Sequence, residues 1–342
     1  MIDKIEIEGN KLSFTVVLTT PVCPLQGKIE ADCRQAIADE IGADVEVTVN
    51  FTSNVTSSRN ENPVLPEVKN IIAVASGKGG VGKSTVAVNL AVGLAAKGAK
   101  VGIIDADIYG PSVPTMLGIK GARPKVHKED GKTLMIPVEV NGIKVLSIGF
   151  LIDEDQAVVW RGPMATSALK QFITDCIWGE LDYLIFDMPP GTGDVQLTLA
   201  QTVPITGALV ITTPQEVALD DVKKAINMFN HPKINVPILG IVENMAWFTP
   251  AELPDNKYYI FGKDGGQTVA DKYDLPLLGQ IPLVMGVREG GDTGVPIITN
   301  HESAAYQHLN LMVENTARKV AIRNEALAPT EKIEITDMKG CG

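Results

Sequence analysis

The chain has 342 residues, of which 45% are hydrophobic, and a formal net charge of -11. That length and apolar fraction are sufficient for one large domain with a buried core plus a smaller domain. The net negative charge argues against nonspecific binding to nucleic acid or to an anionic membrane, because both require clustered Lys and Arg.

The N-terminal sequence MIDKIEIEGN contains no apolar segment of the signal-peptide type, and no apolar run in the chain approaches the roughly 18 residues of a membrane span. The cysteines, Cys23, Cys33, Cys176 and Cys341, are too unevenly spaced for a disulfide framework. We therefore expect a cytoplasmic protein with neither a membrane nor a nucleic acid as its partner.

Residues 1–52 predict a small α+β domain with the order β-β-α-β. Alternating apolar and polar residues indicate strands over 3–9, 11–19 and 44–52, and a helix is predicted from Leu25 to Ile41. Residues 53–70 have no apolar period and contain two prolines, which is typical of a linker.

Residues 71–325 show a different pattern, in which short apolar runs alternate with helical stretches. Such runs, bounded by Gly or Pro, are typical of strands buried on both faces of a mostly parallel sheet. The predicted strands are 71–76, 100–105, 144–150, 183–188, 207–213, 238–245 and 277–282. We expect an α/β fold with a doubly wound sheet that binds ligands at the carboxyl ends of its strands, followed by a polar tail over 326–342.

A phosphate-binding loop follows the first of these strands. The stretch GKGGVGKS, 77–84, matches G-x-x-x-x-G-K-[ST] between a strand and a helical pattern, the context that a P-loop requires. Backbone amides and the helix start would bind phosphates, Lys83 would reach the β- and γ-phosphates, Ser84 would complete a Mg²⁺ shell, and Thr85 would serve the α-phosphate. The predicted nucleotide contacts are Gly77, Lys78, Gly79, Gly80, Val81, Gly82, Lys83, Ser84 and Thr85.

Three aspartates near the ends of predicted strands are candidates for binding Mg²⁺ and the attacking water. Asp105 and Asp107 lie in IIDADIYGPS, and Asp187 lies in the apolar run YLIFDM, where it is a Walker B candidate. The alternative for Asp105 or Asp107 is that it caps the turn after its strand.

Longer motifs carry a family resemblance. The stretch SGKGGVGKST has lysine at the second position of the loop and resembles the deviant Walker A sequence of the MinD/Mrp group of ATPases. The stretches DADIYGPS, WRGPM, WGELDYLIFDMPPGTGD and REGGDTGVPI resemble the Mrp/ApbC family of ATP-dependent iron-sulfur cluster carriers over residues 66–325. The N-terminal part, with LTTPVCPL, resembles most of a MIP18-type domain, so either this start is natural or residues are missing upstream.

The resemblance implies ATP and Mg²⁺ as ligands and a homodimer as the active form. It implies that Lys78 crosses to the partner's phosphates and that Asp107 positions the attacking water. It further implies that Asp187 lies in the second switch and that Asn244 reads the adenine edge. Because Lys83 already serves the phosphates of its own chain, a second cation is most useful across the interface, where transition-state charge develops. The alternative is a solvated loop lysine at position 78.

The resemblance also implies a C-x-x-C pair after the ENM strand, since two such pairs across a dimer supply thiolates for a [4Fe-4S] cluster. Residues 243–266 contain no cysteine, so these usual cluster ligands are missing. Aromatic residues stand in their place and either close an apolar dimer contact or pack the loop. They are Trp247, Phe248, Tyr258 and Tyr259.

The cysteines present have different expected roles. Cys33 and Cys176 lie on helical apolar stripes, which predicts that both are core residues. Cys23 lies at the start of the predicted helix, where a thiol is either structural or reactive. Cys341, in the terminal MKGCG, is the candidate for binding an iron-sulfur cluster, with a tail that has no function as the alternative.

We expect a homodimeric, Mg²⁺-dependent ATPase that turns over slowly and passes iron-sulfur clusters between scaffolds and recipient apoproteins. The alternative is a MinD- or ParA-like switch that dimerises on ATP and recruits a partner without carrying a cluster. Such a switch needs a basic amphipathic C-terminal helix or a basic DNA face. Here the predicted helix over 303–324 is followed by the polar tail.

Overall fold

The computed structural model describes residues 2–42, 44–57, 64–108, 110–129, 131–151, 162–232, 234–250, 252–253 and 255–330. Part of the predicted linker, the first two residues of WRGPM, most of the tail and Cys341 lie outside these ranges. The described residues contain a three-stranded, an eight-stranded and a two-stranded sheet.

The N-terminal sheet has the predicted β-β-α-β order. Strands β1 (Ile2–Glu8) and β2 (Lys11–Leu18) are antiparallel, helix α1 (Gln26–Glu40) follows, and β3 (Glu46–Ser53) pairs in parallel with β2. Alternate residues of β2, namely Phe14, Val16 and Leu18, are buried beneath apolar side chains of α1. The period of two in the sequence therefore corresponds to a sheet covered on one face.

The large sheet begins with β4 (Val68–Ser76), three residues before the predicted strand. Asn70 explains the difference, because this polar residue interrupts the apolar run and yet is fully buried. Its Nδ2 donates to the carbonyls of Thr56 (3.0 Å) and Asp182 (3.1 Å), so burial leaves the amide satisfied.

The other strands are β5 (Val101–Asp105), β6 (Lys125–Glu129), β7 (Lys132–Ile136), β8 (Val138–Val140), β9 (Ile143–Ser147), β10 (Leu181–Asp187), β11 (Gly207–Thr212), β12 (Ile238–Phe248) and β13 (Leu277–Leu283). The eight-stranded sheet has the order β13-β12-β11-β4-β10-β5-β9-β8. Its neighbours are parallel except for the edge pair β8 and β9. The predicted mostly parallel sheet is confirmed.

Helices cover both faces of this sheet. They are α2 (Lys83–Ala96), α3 (Val113–Met116), α4 (Gly162–Thr174), α5 (Asp194–Thr202), α6 (Glu216–Phe229), α7 (Gly265–Lys272), α8 (Met285–Thr293) and α9 (Tyr306–Ala326). Residues of α2 and α9 share one apolar core with Ile72 and Val74 of β4. Residues of α4, α5 and α6 share a second core with Ile71 and Ala73, so successive residues of one strand serve opposite faces. This is a doubly wound arrangement.

The predicted linker is attached to the large sheet wherever the structure describes it. Asn324 near the end of α9 donates to the carbonyl of Thr56 at 2.9 Å. Val55 and Val22 are buried in the core under α2 and α9, and Thr20 Oγ1 lies 3.3 Å from the Tyr183 hydroxyl at the start of β10. The small sheet is thus held at the amino ends of the parallel strands.

The described cysteines are partly buried. Cys23 and Cys33 pack against the core of the small sheet, and the Cys23 carbonyl accepts a hydrogen bond from Gln26 at the start of α1. Cys176 packs against the second core of the large sheet, and burial raises the pKa of its thiol to about 12. Among the described residues, no helix is both long and apolar enough to cross a bilayer.

Candidate active site

The P-loop joins β4 to α2 and depends on glycine at defined positions. Gly82 has φ +79°, and a Cβ there would lie 2.2 Å from the side-chain nitrogen of Asn244. A Cβ on Gly77 would lie 2.2 Å from the backbone carbonyl of Asp221 in α6. The loop is therefore pressed between α6 on one side and the end of β12 on the other.

Lys83, the first residue of α2, is buried among carboxylates. Its Nζ lies 2.6 Å from Asp187 Oδ1 and 3.7 Å from Asp107 Oδ2, and it donates to the Ser84 hydroxyl at 3.3 Å. The parallel register places Asp187 beside Asp105, because β10 and β5 are neighbours. The structure thus brings Lys83, Ser84, Asp105, Asp107 and Asp187 together at the carboxyl edge of the sheet.

Asp187 is fully buried at the end of β10. Burial raises the pKa of this carboxyl, and the positive charge of Lys83 opposes the shift. Its Oδ2 is buried and accepts no hydrogen bond of normal geometry from the residues described. A carboxylate oxygen left without a donor next to a serine hydroxyl fits an oxygen-ligated cation such as Mg²⁺, so Asp187 and Ser84 are the residues that would hold it.

Asp105 has a different environment, because its oxygens accept hydrogen bonds within the chain. Oδ2 accepts from the Ser147 hydroxyl at 2.9 Å and from the Val113 amide at 3.3 Å, and Oδ1 accepts from the Asp107 amide at 3.2 Å. Burial, together with the charge of Asp187, raises the pKa of Asp105 to about 8. These contacts are those of the turn-capping alternative, in which Asp105 positions the segment that carries Asp107.

Asn244 lies at the junction between the P-loop and a large cavity. Its Nδ2 donates to the Val81 carbonyl at 2.9 Å. The cavity has a volume of about 590 Å³ and is lined by Thr85, Asn244, Met245 and Pro282 among others. That volume falls within the range of small-molecule sites, and the lining places it directly beside the phosphate loop.

The side chain of Lys78 differs from that of Lys83 in its burial and in its partners. Its side chain is only partly buried and makes no hydrogen bond or ion pair with any residue in the described part of the chain. The Ser76 hydroxyl instead donates to the Lys78 carbonyl at 3.0 Å, which fixes the backbone of the loop. The structure therefore offers the Lys78 ammonium no partner within its own chain among these residues.

The aromatic residues in and next to the cysteine-free loop after β12 differ in burial. Trp247 is buried, edge-on to His308 of α9 at 5.0 Å, with Lys257 Nζ at 3.9 Å from its ring centroid. Tyr258 and Tyr259 are exposed, so the packing interpretation holds for Trp247 and not for the tyrosines. No group of three or more His, Cys, Asp or Glu side chains arranged to hold a metal ion occurs among the described residues.

Glu243 is a buried carboxylate that the sequence reasoning did not single out. Its Oε2 accepts from the Gly266 amide in the first turn of α7, and its Oε1 accepts from Gln280 of β13 at 2.8 Å. Burial raises the pKa of Glu243, and these hydrogen bonds oppose the shift. The sequence feature that could have identified Glu243 is its position as a charged residue inside the apolar run ILGIVENM.

The fold and this site define the chain as a P-loop NTPase with a second lysine in its phosphate loop. The family model described as ParA, NUBPL iron-transfer P-loop NTPase, matches residues 67–320, and the model described as iron-sulfur cluster assembly protein matches residues 1–49. The chain belongs to this NUBPL iron-transfer P-loop NTPase family.

Curated relatives of high similarity carry the name iron-sulfur cluster carrier protein. One from Synechocystis is 51% identical over 324 residues, covering 94% of this chain and 91% of the relative. One from Deinococcus radiodurans is 48% identical over 334 residues, covering 97% of this chain and 92% of the relative.

A similar solved structure is a nucleotide-binding protein from Archaeoglobus fulgidus in complex with ADP. It is 38% identical, covers 71% of this chain and 93% of its own, and has a TM-score of 0.61. A septum site-determining protein MinD from Pyrococcus horikoshii with Mg-ADP, 22% identical with a TM-score of 0.50, covers 71% of this chain and 94% of its own. The MinD comparison shows the shared fold.

Proposed function

We propose that the chain is an ATP-hydrolysing iron-sulfur cluster carrier that acts as an ATP-dependent homodimer. The observation that carries this proposal is the different placement of its two loop lysines. Lys83 is buried against Asp187 at 2.6 Å, whereas Lys78 has no partner in the described part of its own chain. The names of the curated relatives support the cargo.

In this mechanism the amides of the P-loop and the start of α2 bind the phosphates of ATP. Lys83 exchanges its contact with Asp187 for the β- and γ-phosphates. Asp187 and Ser84 would hold Mg²⁺, which would supply positive charge to the phosphates. Asp107, 3.7 Å from Lys83, orients the attacking water. Lys78 of a second copy supplies positive charge where negative charge develops in the transition state.

The cavity next to Thr85 takes the nucleoside. Asn244 donates through Nδ2 to the Val81 carbonyl, and its Oδ1 makes no hydrogen bond with a described residue. An acceptor at this place suits the amino group of adenine. The same hydrogen bond ties the base site to the phosphate loop.

The cargo is a [4Fe-4S] cluster, passed from a scaffold to recipient apoproteins. The loop after β12 offers no thiolate, and Cys23, Cys33 and Cys176 pack against cores. We therefore assign cluster binding first to Cys341. Cys23 is the second candidate, because it lies just before α1 and the N-terminus of a helix favours a thiolate. A cytoplasmic location remains a prediction.

The structure argues against the alternative function, a MinD- or ParA-like switch that recruits a partner to a surface. A membrane-targeting helix must present its apolar face. The apolar residues of α9, including Leu309, Met312 and Val320, are instead buried in the core of the large sheet. Together with the names of the curated relatives, this favours the carrier.

ATP turnover by variants tests the hydrolysis mechanism. Lys83→Ala should lose nucleotide binding, whereas Lys78→Ala should bind ATP and lose turnover by about 10³-fold or more, the effect of a cation supplied in trans. Lys97→Ala, outside the loop, is the control. Near wild-type turnover in Lys78→Ala would reject the trans lysine.

Anaerobic reconstitution with iron and sulfide tests the cargo. We expect bound iron and visible absorption in the wild type, a loss of both in Cys341→Ser, and no loss in Cys176→Ser, since Cys176 is packed in a core. A protein that binds no cluster in either its free or its ATP-bound form is not a direct carrier.

A further inference from the structure

An exposed group of apolar side chains lies beside the P-loop. Val217 in the first turn of α6 is 64% exposed, and in the loop after β12 Tyr258, Tyr259 and Ile260 are 46%, 40% and 60% exposed. We call these four residues the apolar patch. Contiguous apolar surface on a soluble protein commonly marks an interaction site.

The two parts of the apolar patch lie on segments that contact each other. Phe261 and Gly262, which follow Ile260, line one cavity together with Glu216 and Leu219 on either side of Val217. The closeness of Gly262 to Pro214, just before α6, agrees with this packing. The segments that carry the two parts of the patch therefore pack against each other.

The apolar patch also borders the loop that carries Lys78. Val217 and Asp221 are four residues apart in α6 and so share a helix face. The backbone of Asp221 is the part of α6 against which Gly77 is pressed. Any molecule that covers Lys78 from outside therefore approaches the surface containing Val217.

Contacts within the chain fix the segment that carries the exposed tyrosines. Tyr258 and Phe248 exchange backbone hydrogen bonds of 2.8 and 2.9 Å. The buried Trp247 ring is covered by Lys257 Nζ, and Glu243 caps the helix at which the loop ends. The exposed tyrosines thus lie on the described segment 255–264, whose contacts within the chain already fix its backbone, so binding costs little ordering there.

We propose that the apolar patch is a metal-free contact between two copies of this chain in the ATP-bound dimer. The proposal rests on the dimeric ATPase proposed above and adds the surface that closes it. A second copy is the favoured occupant, because Lys78 lacks a partner in its own described chain and a two-fold dimer brings the same surface of each subunit together. Aromatic residues are enriched at such contacts, with tyrosine hydroxyls accommodated at the rim.

Sedimentation velocity of the full chain with Mg²⁺ and a nonhydrolysable ATP analogue tests this contact. Ile260→Asp should weaken dimerisation by about tenfold or more, since a charge would enter the centre of an apolar contact. Val126→Asp is the matched control, because Val126 is 62% exposed and lies in the β6 strand, far along the chain from the patch. Binding of a fluorescent ATP analogue to each variant checks that the site is intact.

Three outcomes distinguish the ideas. A wild type that dimerises with the analogue, together with an Ile260→Asp dimer of equal strength, rejects the patch and leaves the dimeric ATPase standing. Equal weakening in Val126→Asp also rejects the patch. A wild type that stays monomeric with the analogue rejects both proposals.

Iron dependence and cross-linking provide second readouts. The wild-type dimer should be unchanged after treatment with the iron chelator bipyridyl, and dissociation on removing iron would overturn a metal-free contact. With dissolved oxygen as the oxidant, Ile260→Cys should form an intermolecular disulfide with the ATP analogue and not with ADP, whereas Val126→Cys should form none. Equal cross-linking with both nucleotides, or through a bound recipient protein instead of a second copy, would also overturn the proposal.

Discussion

Replacing Asp105 by Asn should flatten the dependence of folding stability on pH. Burial raises the pKa of Asp105 from its ordinary value of 3.8 to about 8, so the folded protein holds a proton that the unfolded chain releases. Stability from this group is fully present below the unfolded pKa and is lost as the pH rises through the folded pKa. Asn at this position does not titrate.

The difference between the two pKa values of Asp105 sets the size of this pH effect. A group with these two pKa values loses about 1.4 kcal/mol per pH unit between them, at most about 6 kcal/mol in total. Burial also raises the pKa of the neighbouring Asp187, so the two carboxyls share the titration, which reduces the part that one substitution recovers. We expect the stability of Asp105→Asn relative to the wild type to rise by at least about 2 kcal/mol between pH 5 and pH 8.

At low pH the variant should be less stable than the wild type. The asparagine amide has one acceptor oxygen where the carboxyl has two, so in either orientation the Val113 amide or the Asp107 amide loses its acceptor, which costs about 1 kcal/mol. Urea unfolding without nucleotide or Mg²⁺ over this pH range measures both effects. Asp292→Asn on the surface of α8 is the control, and parallel profiles for the wild type and Asp105→Asn would refute the argument.

Other substitutions have equally direct outcomes. Gly77→Ala should weaken ATP binding by about tenfold or more in a titration, because its Cβ would meet the Asp221 backbone, whereas Gly27→Ala in α1, where a Cβ would have no neighbour within 4 Å, should bind normally. Trp247→Ala should lower the free energy of unfolding by about 3–5 kcal/mol, and a loss below 1 kcal/mol would contradict its packing role. Tyr183→Phe should cost about 1 kcal/mol in urea unfolding, and none if its hydroxyl does not bond to the small sheet.

The predicted strands of the large sheet match the structure because burial on both faces leaves an unbroken apolar run. Strands β6, β7 and β8 were not predicted, because their residues are mostly exposed and carry lysines and glutamates. The start of β4 was missed for a related reason, since Lys69 and Asn70 are polar. Sequence periodicity reports burial, and an exposed hairpin has no such period.

For the candidate site, the sequence predicted the P-loop and three aspartates, which the structure brings together, but not what each carboxylate contacts. Ser147, which donates to Asp105, is 42 positions away and comes close only because β9 pairs with β5. The bond from Asn244 to Val81 spans 163 positions. Such contacts depend on strand order, which a local pattern does not contain.

Val22 and Val55 come from the N-terminal part of the chain but are buried in the core that α2 and α9 share with the large sheet. The ATPase part of the chain looks separable in sequence, yet part of its interior is filled by side chains from the preceding 60 or so residues. Cutting the chain at Val68 would leave an apolar hollow open to water at the amino ends of the strands. The large sheet therefore shares part of its core with the N-terminal segment, and engineering that separates the two must fill the space left by Val22 and Val55.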